Sequence, residues 1–342
     1  MCKIALEKLK NYLPVLLCAA GMNRENAELA AEVYMKATLR GVGHHDVNDL
    51  PSRLENYIAG RVKVNPDFRL TGKYNALEHF DGDNGPGELC CCHIIERGME
   101  MAEEYGIAFC TIHNSNHFLS AAPYVEKAAE KGYLAMLYTR THPTVNAPGD
   151  SRKVIGSSPM GFAAATKEGY PLLLDICLAY ASYGQLKAKK EKGEKMSDYW
   201  GFDSAGHPTE EPGDILSGGT PSPVGGHKGF GLSILTEILT GVLSGGEIID
   251  ERGPGHDNGF GVYSQSVIVI KTEGFLHTET FAERTSRMIH RMRHINPDIR
   301  MPGQSSWNSK NKMEEEGYVR VAQQTLDDIN RLAAGLGIAL LQ

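Results

Sequence analysis

The chain has 342 residues, ordinary apolar (41%) and charged (23%) fractions and a formal net charge of −7. That length supports one large or two medium domains with a sizeable core. The charge excludes the basic footprint of a nucleic-acid binder, and no apolar run is long and uninterrupted enough to span a bilayer. Of the seven cysteines, Cys90, Cys91 and Cys92 are adjacent, which suits neither a disulfide framework nor a Cys-x-x-Cys zinc site. They read as small buried hydrophobes in a reducing compartment. The N-terminus, MCKIALEKLKNYL, reads as an amphipathic helix rather than a signal peptide, so the expected compartment is the cytoplasm.

In chain order, residues 3–42 read as two helices. Leu6, Leu9, Leu13, Leu16 and Leu17 keep a helical period, Gly21 ends the run, and Asn23 caps a second helix that closes at Gly41. SRLENYIAG is a short third helix, 62–80 is extended, and DGDNGPG (81–87) is a turn cluster. The helix CCHIIERGMEMAEEYG leads to the strand IAFCTI, the loop NSNHFLSA, the helix PYVEKAAEKG and the strand YLAMLYT. This alternation predicts an α/β core with at least one crossover unit. FAAAT and YPLLLDI are further strands, SYGQLKAKKEKGEK a basic helix and DSAGHPTEEPGDILSGG a loop. The helix after Gly231 carries Leu232, Leu235, Ile238, Leu239, Val242 and Leu243, an apolar set expected to be buried. VYSQSVIVI is a strand, and the last sixty residues return to helices that are expected to pack against the N-terminal ones.

Several segments carry chemistry. PSPVGGHKGFG places His227 and Lys228 in a glycine-rich turn that runs into a helix, a setting that suits an anion or a dinucleotide. Neither the Walker pattern nor Gly-x-Gly-x-x-Gly follows Lys228, so tight packing of a helix is the alternative reading. His44, His45 and Asp46 form the sharpest polar cluster. A histidine there could pass a proton, the trio could ligate a metal as in helical phosphohydrolases, or it could cap a loop. Asn116 and His117 follow a strand, where α/β proteins place ligands. Asp175 ends an apolar strand, and a carboxylate there needs a partner, an imidazole being a natural one.

Taken in order, GVGHHDVNDLP, DGDNGPG, NSNHF, IGSSP, the strand ending in Asp175, SYG, PVGGHKGFGLSILTEILTGVLSG and MPG resemble the type 2 malate/L-lactate dehydrogenase family over almost the whole chain. SYG and the helix after it are most similar to its 2,3-diketo-L-gulonate reductase branch. The resemblance implies a non-Rossmann α/β fold with a mixed central sheet flanked by helices. Its helical part is built from both termini (1–70 with 280–342) and carries the catalytic histidine and the dimer contacts, while 71–279 form the cofactor-binding core. It further implies a homodimer and hydride transfer between NAD or NADP and a 2-oxo/2-hydroxy acid, with no metal. The proton donor falls on His45, with His44 beside it. The aspartate that polarises it falls on Asp175, and the loop histidine on His117. Cofactor contacts fall on Ile176, Leu178, Tyr180, His227, Lys228, Gly303, Gln304 and Ser305.

The departures bear on substrate. Where this family usually has an arginine four residues after the histidine, this chain has Asp49. A carboxylate facing a substrate carboxylate at ~4 Å costs about 4 kcal/mol at an effective dielectric near 20. Ala179, Ser158 and Arg140 stand where serine, asparagine and asparagine are usual. The substrate is therefore expected to be sugar-acid-like or otherwise atypical rather than plain lactate or malate. Either Arg140 or Arg53 takes its carboxylate, or Asp46 or Asp49 receives hydroxyls or an amine, with Asn116 nearby. The competing readings are a metal-dependent hydrolase using His44, His45 and Asp46, and a non-catalytic relative that binds a nucleotide.

Overall fold

A computed structural model describes residues 2–249, 251 and 260–341. Strand β1 (Cys2–Ala5) opens the chain and leads into α1 (Leu6–Ala19) and α2 (Arg24–Leu39). The leucine period of α1 does what it predicts: Leu9, Leu13, Leu16 and Leu17 are all buried. Asn23 caps α2 by accepting from the Asn26 amide at 2.8 Å. A loop holding the two adjacent histidines separates α2 from α3 (Leu50–Ile58).

The middle of the chain is the α/β core. It runs β2 (Arg69–Tyr74), β3 (Leu77–Gly85), α4 (Gly87–Tyr105), β4 (Ile107–Ser115), α5 (Ala122–Glu130), β5 (Tyr133–Thr139), β6 (Val145–Asn146), β7 (Lys153–Ile155), β8 (Met160–Ala164) and β9 (Leu172–Ile176). Then come α6 (Tyr183–Lys192), β10 (Gly201–Phe202), α7 (Pro212–Leu216), β11 (Thr220–Pro221), α8 (His227–Glu237), which continues as a π-helical turn through Ile238–Val242, and β12 (Tyr263–Lys271). The chain closes with α9 (Thr278–Ile295), α10 (Gln304–Glu316), β13 (Tyr318–Val321) and α11 (Gln323–Gly335).

The main sheet has seven strands in the order β2-β3-β4-β12-β5-β8-β9. Only β3 and β4 pair in parallel, across the α4 crossover; the other neighbours are antiparallel. The sheet is therefore mixed, as expected. Strand β12 arrives late in the chain and inserts between β4 and β5, so these two, joined by α5, run the same way without touching. The termini are tied by β1 pairing with β13, Cys2 opposite Val321. One apolar cluster runs from Ile4 and Leu16 through Ile94 and Val267 to Leu341, so the terminal helices and the sheet share a core. All seven cysteines are free, and Cys90, Cys91 and Cys92 lie in the buried face of α4.

Three local expectations change. The turn-like DGDNGPG does not end its strand: Asp83 and Asn84 take left-handed φ of 54° each, and β3 runs on to Gly85 through a register shift. Residues that favour positive φ here build a bulge instead of a turn. The segment read as loop at 203–219 holds α7, which seats Ile215 in a small cluster with Leu186 and Met196. Finally, the apolar helix expected to be buried shows a face to solvent: Leu232, Leu235, Ile238, Val242 and Leu243 are 43–53% exposed.

Candidate active site

The histidine loop between α2 and α3 is built by Asp46. Its buried carboxylate accepts from the Gly43 amide at 2.8 Å and from the Asn48 amide at 2.9 Å, bracing the turn that presents His44 and His45. Asp46 is therefore a loop brace and not a metal ligand, which removes the His44, His45 and Asp46 trio proposed for a hydrolase. His44 lies against α6. Its Nε2 is 3.3 Å from the Ser182 hydroxyl, and a Cβ at position 184 would stand 2.3 Å from its ring, so only glycine fits there. His45 faces inward, with ring centroids 4.3 Å from His44 and 4.7 Å from His117.

His45, His117 and Tyr263 form a wall between two cavities. The larger cleft, of about 770 Å³, is lined by Thr141, His142 and Ser157, by Asp175, Ile176 and Tyr180, and by Gly303 and Ser305. The smaller chamber, of about 340 Å³, is lined by Asp49, Ser52, Arg53, Asn56, Tyr57 and Asn116. Tyr263 meets His117 edge-on at 5.8 Å and His142 at 5.6 Å. Sequence reasoning did not single out Tyr263, His142, Ser52 or Asn56. The position of Tyr263 at the start of β12, beside the end of β4, was the available signal.

The electrostatics of the wall are set by burial. Burial, reinforced by His44, pushes His45 down to about 4, although Asp49 opposes the shift. His117 is held well below the ordinary imidazole range by burial and then by the Arg53 guanidinium. Both rings are neutral at pH 7. His45 Nδ1 is buried and makes no hydrogen bond. Arg53 joins the wall to the chamber: Nε donates to Asp49 Oδ2 at 2.7 Å, Nη1 to the His117 carbonyl at 2.8 Å, and Nη2 meets His117 Nδ1 at 2.5 Å. Burial alone would raise the Asp49 carboxyl, but Arg53 and His117 outweigh it, and the group sits below its usual value. Behind Arg53 lies buried Glu88, which accepts from the Tyr57 hydroxyl at 2.6 Å.

Asp175 does not meet the expectation of a hydrogen bond to His45. Its Oδ2 accepts from the Ala122 amide at 3.0 Å, at the start of α5, and burial raises its pKa despite that bond. The imidazole whose charge bears on it is His44. Arg140 lines neither cavity. It is fully buried, donating from Nε to Glu237 at 3.2 Å, from Nη2 to the Ile249 carbonyl at 2.6 Å and from Nη1 to the Val262 carbonyl. It therefore has no donor facing a substrate carboxylate. Asn116 borders the chamber, but its amide is held by Gly85 O at 2.8 Å and by the Gly261 amide at 3.1 Å. Ser158, where asparagine is usual, has a left-handed φ of 45°, a conformation that asparagine tolerates better than serine.

The predicted cofactor contacts divide. Ile176, Tyr180, Gly303 and Ser305 line the larger cleft. Leu178 is buried beneath it, and Gln304 Oε1 accepts from the Met301 amide at 3.2 Å. His227 and Lys228 lie at the exposed start of α8 and line neither cavity within one chain.

A metal could be held only by a different trio from the one expected, among the described residues: ligand atoms of His45, Asp49 and His117 lie within 4.8 Å of one another. Arg53 already contacts two of the three, and a fixed guanidinium there opposes a cation.

The comparisons with known proteins agree with this architecture. The sequence profile of the malate/L-lactate dehydrogenase family matches residues 4–330. The chain belongs to that family. It is 28% identical to a malate dehydrogenase of Pyrococcus abyssi, over 99% of this chain and 96% of the relative. It is 27% identical to a 2,3-diketo-L-gulonate reductase of Citrobacter koseri, over 95% and 97%. The crystal structure of a delta1-piperideine-2-carboxylate reductase from Pseudomonas syringae superposes with a TM-score of 0.86 at 25% identity, covering 97% of this chain and 100% of that one. The protein is an oxidoreductase of hydroxy or oxo acids, and membership implies a nicotinamide cofactor. The hydrolase reading has no support here. The larger cleft fits such a cofactor: it has the size of a cofactor site, its walls mix apolar Leu119, Leu173 and Ile176 with hydroxyl groups, and the orphaned Nδ1 of His45 lies in the wall.

Proposed function

We propose that the larger cleft holds NAD or NADP, that the smaller chamber holds the acid substrate, and that His45 exchanges the proton with the reacting oxygen. The observation that carries this is the shared wall: His45 and His117 border both cavities, so a group in either one reaches the same two imidazoles. When bound, the nicotinamide supplies the hydride acceptor or donor. The chain supplies the rest. A neutral imidazole is the form that takes a proton from a 2-hydroxyl, so His45 is poised as a general base for oxidation at neutral pH. In the reducing direction it must bind a proton before it can give one. His117, fixed by Arg53 and by the Leu119 amide at 3.1 Å, orients the substrate beside it. The Asp49 carboxylate in the chamber favours a hydroxylated or nitrogen-bearing acid over plain lactate or malate.

The exposed face of α8 and its π-helical continuation supports a homodimer. A contiguous row of large apolar residues at helical spacing is the kind of surface that a second copy covers. The same contact would shelter the start of α8, where His227 and Lys228 lie. Seven unpaired cysteines are in keeping with a reducing cytoplasm. Among the described residues, no helix is long and apolar enough to cross a membrane.

The test is binding of NADH and NADPH to the purified protein by fluorescence, followed by turnover of a panel of 2-oxo and 2-hydroxy acids. Saturable binding of one coenzyme is expected. His45→Ala should retain it and lose turnover of the oxo and hydroxy acids. Binding of neither coenzyme would overturn the proposal.

A further inference from the structure

Resting on the oxidoreductase reading above, we infer that Arg53 is a positioning residue that fixes the His117 ring with its proton on Nε2. His117 then donates a hydrogen bond to the reacting oxygen and does not take that oxygen's proton. Three observations lead there.

The first is what meets His117 Nδ1. Arg53 Nη2 stands 2.5 Å from it and the Leu119 amide 3.1 Å. A guanidinium carries only donors and keeps its protons, and a backbone N–H only donates. Nδ1 therefore accepts from both, and a proton on it would meet two N–H groups head-on. That removes the Nδ1–H tautomer and the imidazolium together, since both need that proton. The ring is left with its hydrogen on Nε2. Among the described residues the hydrogen bonds of the ring are all at Nδ1, and the ring lines both cavities.

The second is how Arg53 is held. Nε donates to Asp49 Oδ2 at 2.7 Å, and Nη1 donates to the His117 carbonyl at 2.8 Å and to Glu88 Oε2 at 3.5 Å. With the contact to Nδ1, four of its five N–H groups are committed, and the one left on Nη2 is too little for a two-pronged grip on a substrate carboxylate. Glu88 is fully buried and is itself fixed by the hydroxyls of Tyr57 at 2.6 Å and Tyr34 at 3.4 Å. Asp49 and Glu88 thus clamp the guanidinium, and the guanidinium clamps the imidazole. The third is backbone strain. Leu119 holds a left-handed φ of 70°, rare for a bulky residue, in the turn that brings its amide to Nδ1.

The groups that face the ring are Arg53 and Asp49, His44 and His45 of the histidine loop, and Tyr263 at the start of β12. Burial and then Arg53 hold the imidazole below its ordinary range, in keeping with the geometry. The consequence is a division of labour. In oxidation the C2–H bond breaks and its hydride goes to the oxidised coenzyme. The hydroxyl proton goes to His45, and the electron pair of the broken O–H bond closes the C=O bond. Negative charge grows on that oxygen as its proton leaves, and the Nε2–H of His117 meets the charge without giving up its own proton. One imidazole moves the proton and the other holds the oxygen, and Arg53 makes the difference between them.

The test replaces His117 by glutamine, whose amide N–H donates but takes no proton, and by leucine, which does neither. With saturating coenzyme and a 2-hydroxy acid that the wild type oxidises, His117→Gln should keep kcat within about tenfold. His117→Leu should lose about 10²- to 10³-fold, the usual cost of a missing oxyanion donor. Equal losses in the two, with coenzyme binding intact, would overturn the inference, because both variants lack a base. Arg53→Met should lower kcat more than it raises KM. A raised KM with kcat held would mark a carboxylate anchor and overturn the inference. A third readout needs no turnover and no change to the wild type. In nitrogen-15 spectra of histidine-labelled protein, the signals missing from either His117 variant should show a bare Nδ1 and a protonated Nε2 from about pH 8 to about pH 5. Arg53→Met should put a proton on Nδ1 within that range. A proton on Nδ1 of the wild type would overturn the inference and leave the oxidoreductase reading standing. Melting curves show which variants have folded, and failure to bind either coenzyme would overturn both readings.

Discussion

Two buried arginines in this molecule look alike in the sequence and differ in what they do. Arg140 is closed off: its donors go to Glu237 and to two carbonyls, and it touches neither cavity. Arg53 is nearly as buried, but its partners Asp49 and His117 form the boundary of a chamber. Both bring a charge out of water. Arg140 uses it to fix the backbone at Ile249 and Val262, just before β12 delivers Tyr263 to the wall. Arg53 uses it to fix side chains that face a ligand. An arginine near a binding site is thus evidence of function only once its partners are known.

The largest effect is expected at the closed centre. Glu237→Ala removes the carboxylate that pairs with buried Arg140 among the described residues, a loss expected to cost about 3–5 kcal/mol. Urea unfolding should show that loss, and a change within error would mean that Arg140 finds water. At the open centre the effect falls on rate instead. His45→Asn should lower turnover of a 2-hydroxy acid by about 10²- to 10⁴-fold while coenzyme binding and melting temperature stay near wild type. A large melting shift without a rate loss would make His45 a packing residue.

Smaller effects sharpen the contrast. Leu235→Glu on the exposed face of α8 should convert a dimer into a monomer in sedimentation velocity, with both arginine centres intact; an unchanged sedimentation coefficient would exclude that face. The pH dependence follows from the wall. His45 and His117 are held below the ordinary value of 6.5, so the unfolded chain binds protons that the folded chain refuses. Their contribution to stability is complete above that value and is lost as the pH falls towards about 4. Melting temperature should fall across that window, and His45→Asn should flatten the fall. Ser182→Ala, which removes the capping box of α6, should cost about 1 kcal/mol and loosen His44 alone. Heteronuclear NMR of the histidine rings would show whether His45 moves with it.

Much of this was legible from residues. The leucine period of α1, the Asn23 cap, the alternation from β4 to β5 and the ordered polar segments placed the fold and put His45, His117 and Asp175 beside one cleft. What was not legible depends on distance in the chain. The partner of Arg140 lies 97 residues on, and nothing local announces that Glu237 will be buried. The hydrogen bond of Asp175 goes to the start of α5, 53 residues before it in the chain, and nothing local announces that contact. The α8 face misled for another reason: helical periodicity says that an apolar stripe needs cover, but not whether the cover is the same chain or a second one.

The wall of His45, His117 and Tyr263 has a kinetic consequence. All three residues line both cavities, and the linings share no other residue. Each ligand then has a seat of its own, and no compulsory order of addition is expected. Initial-rate patterns should be those of a random sequential enzyme, and a product trapped on one side should not block departure from the other.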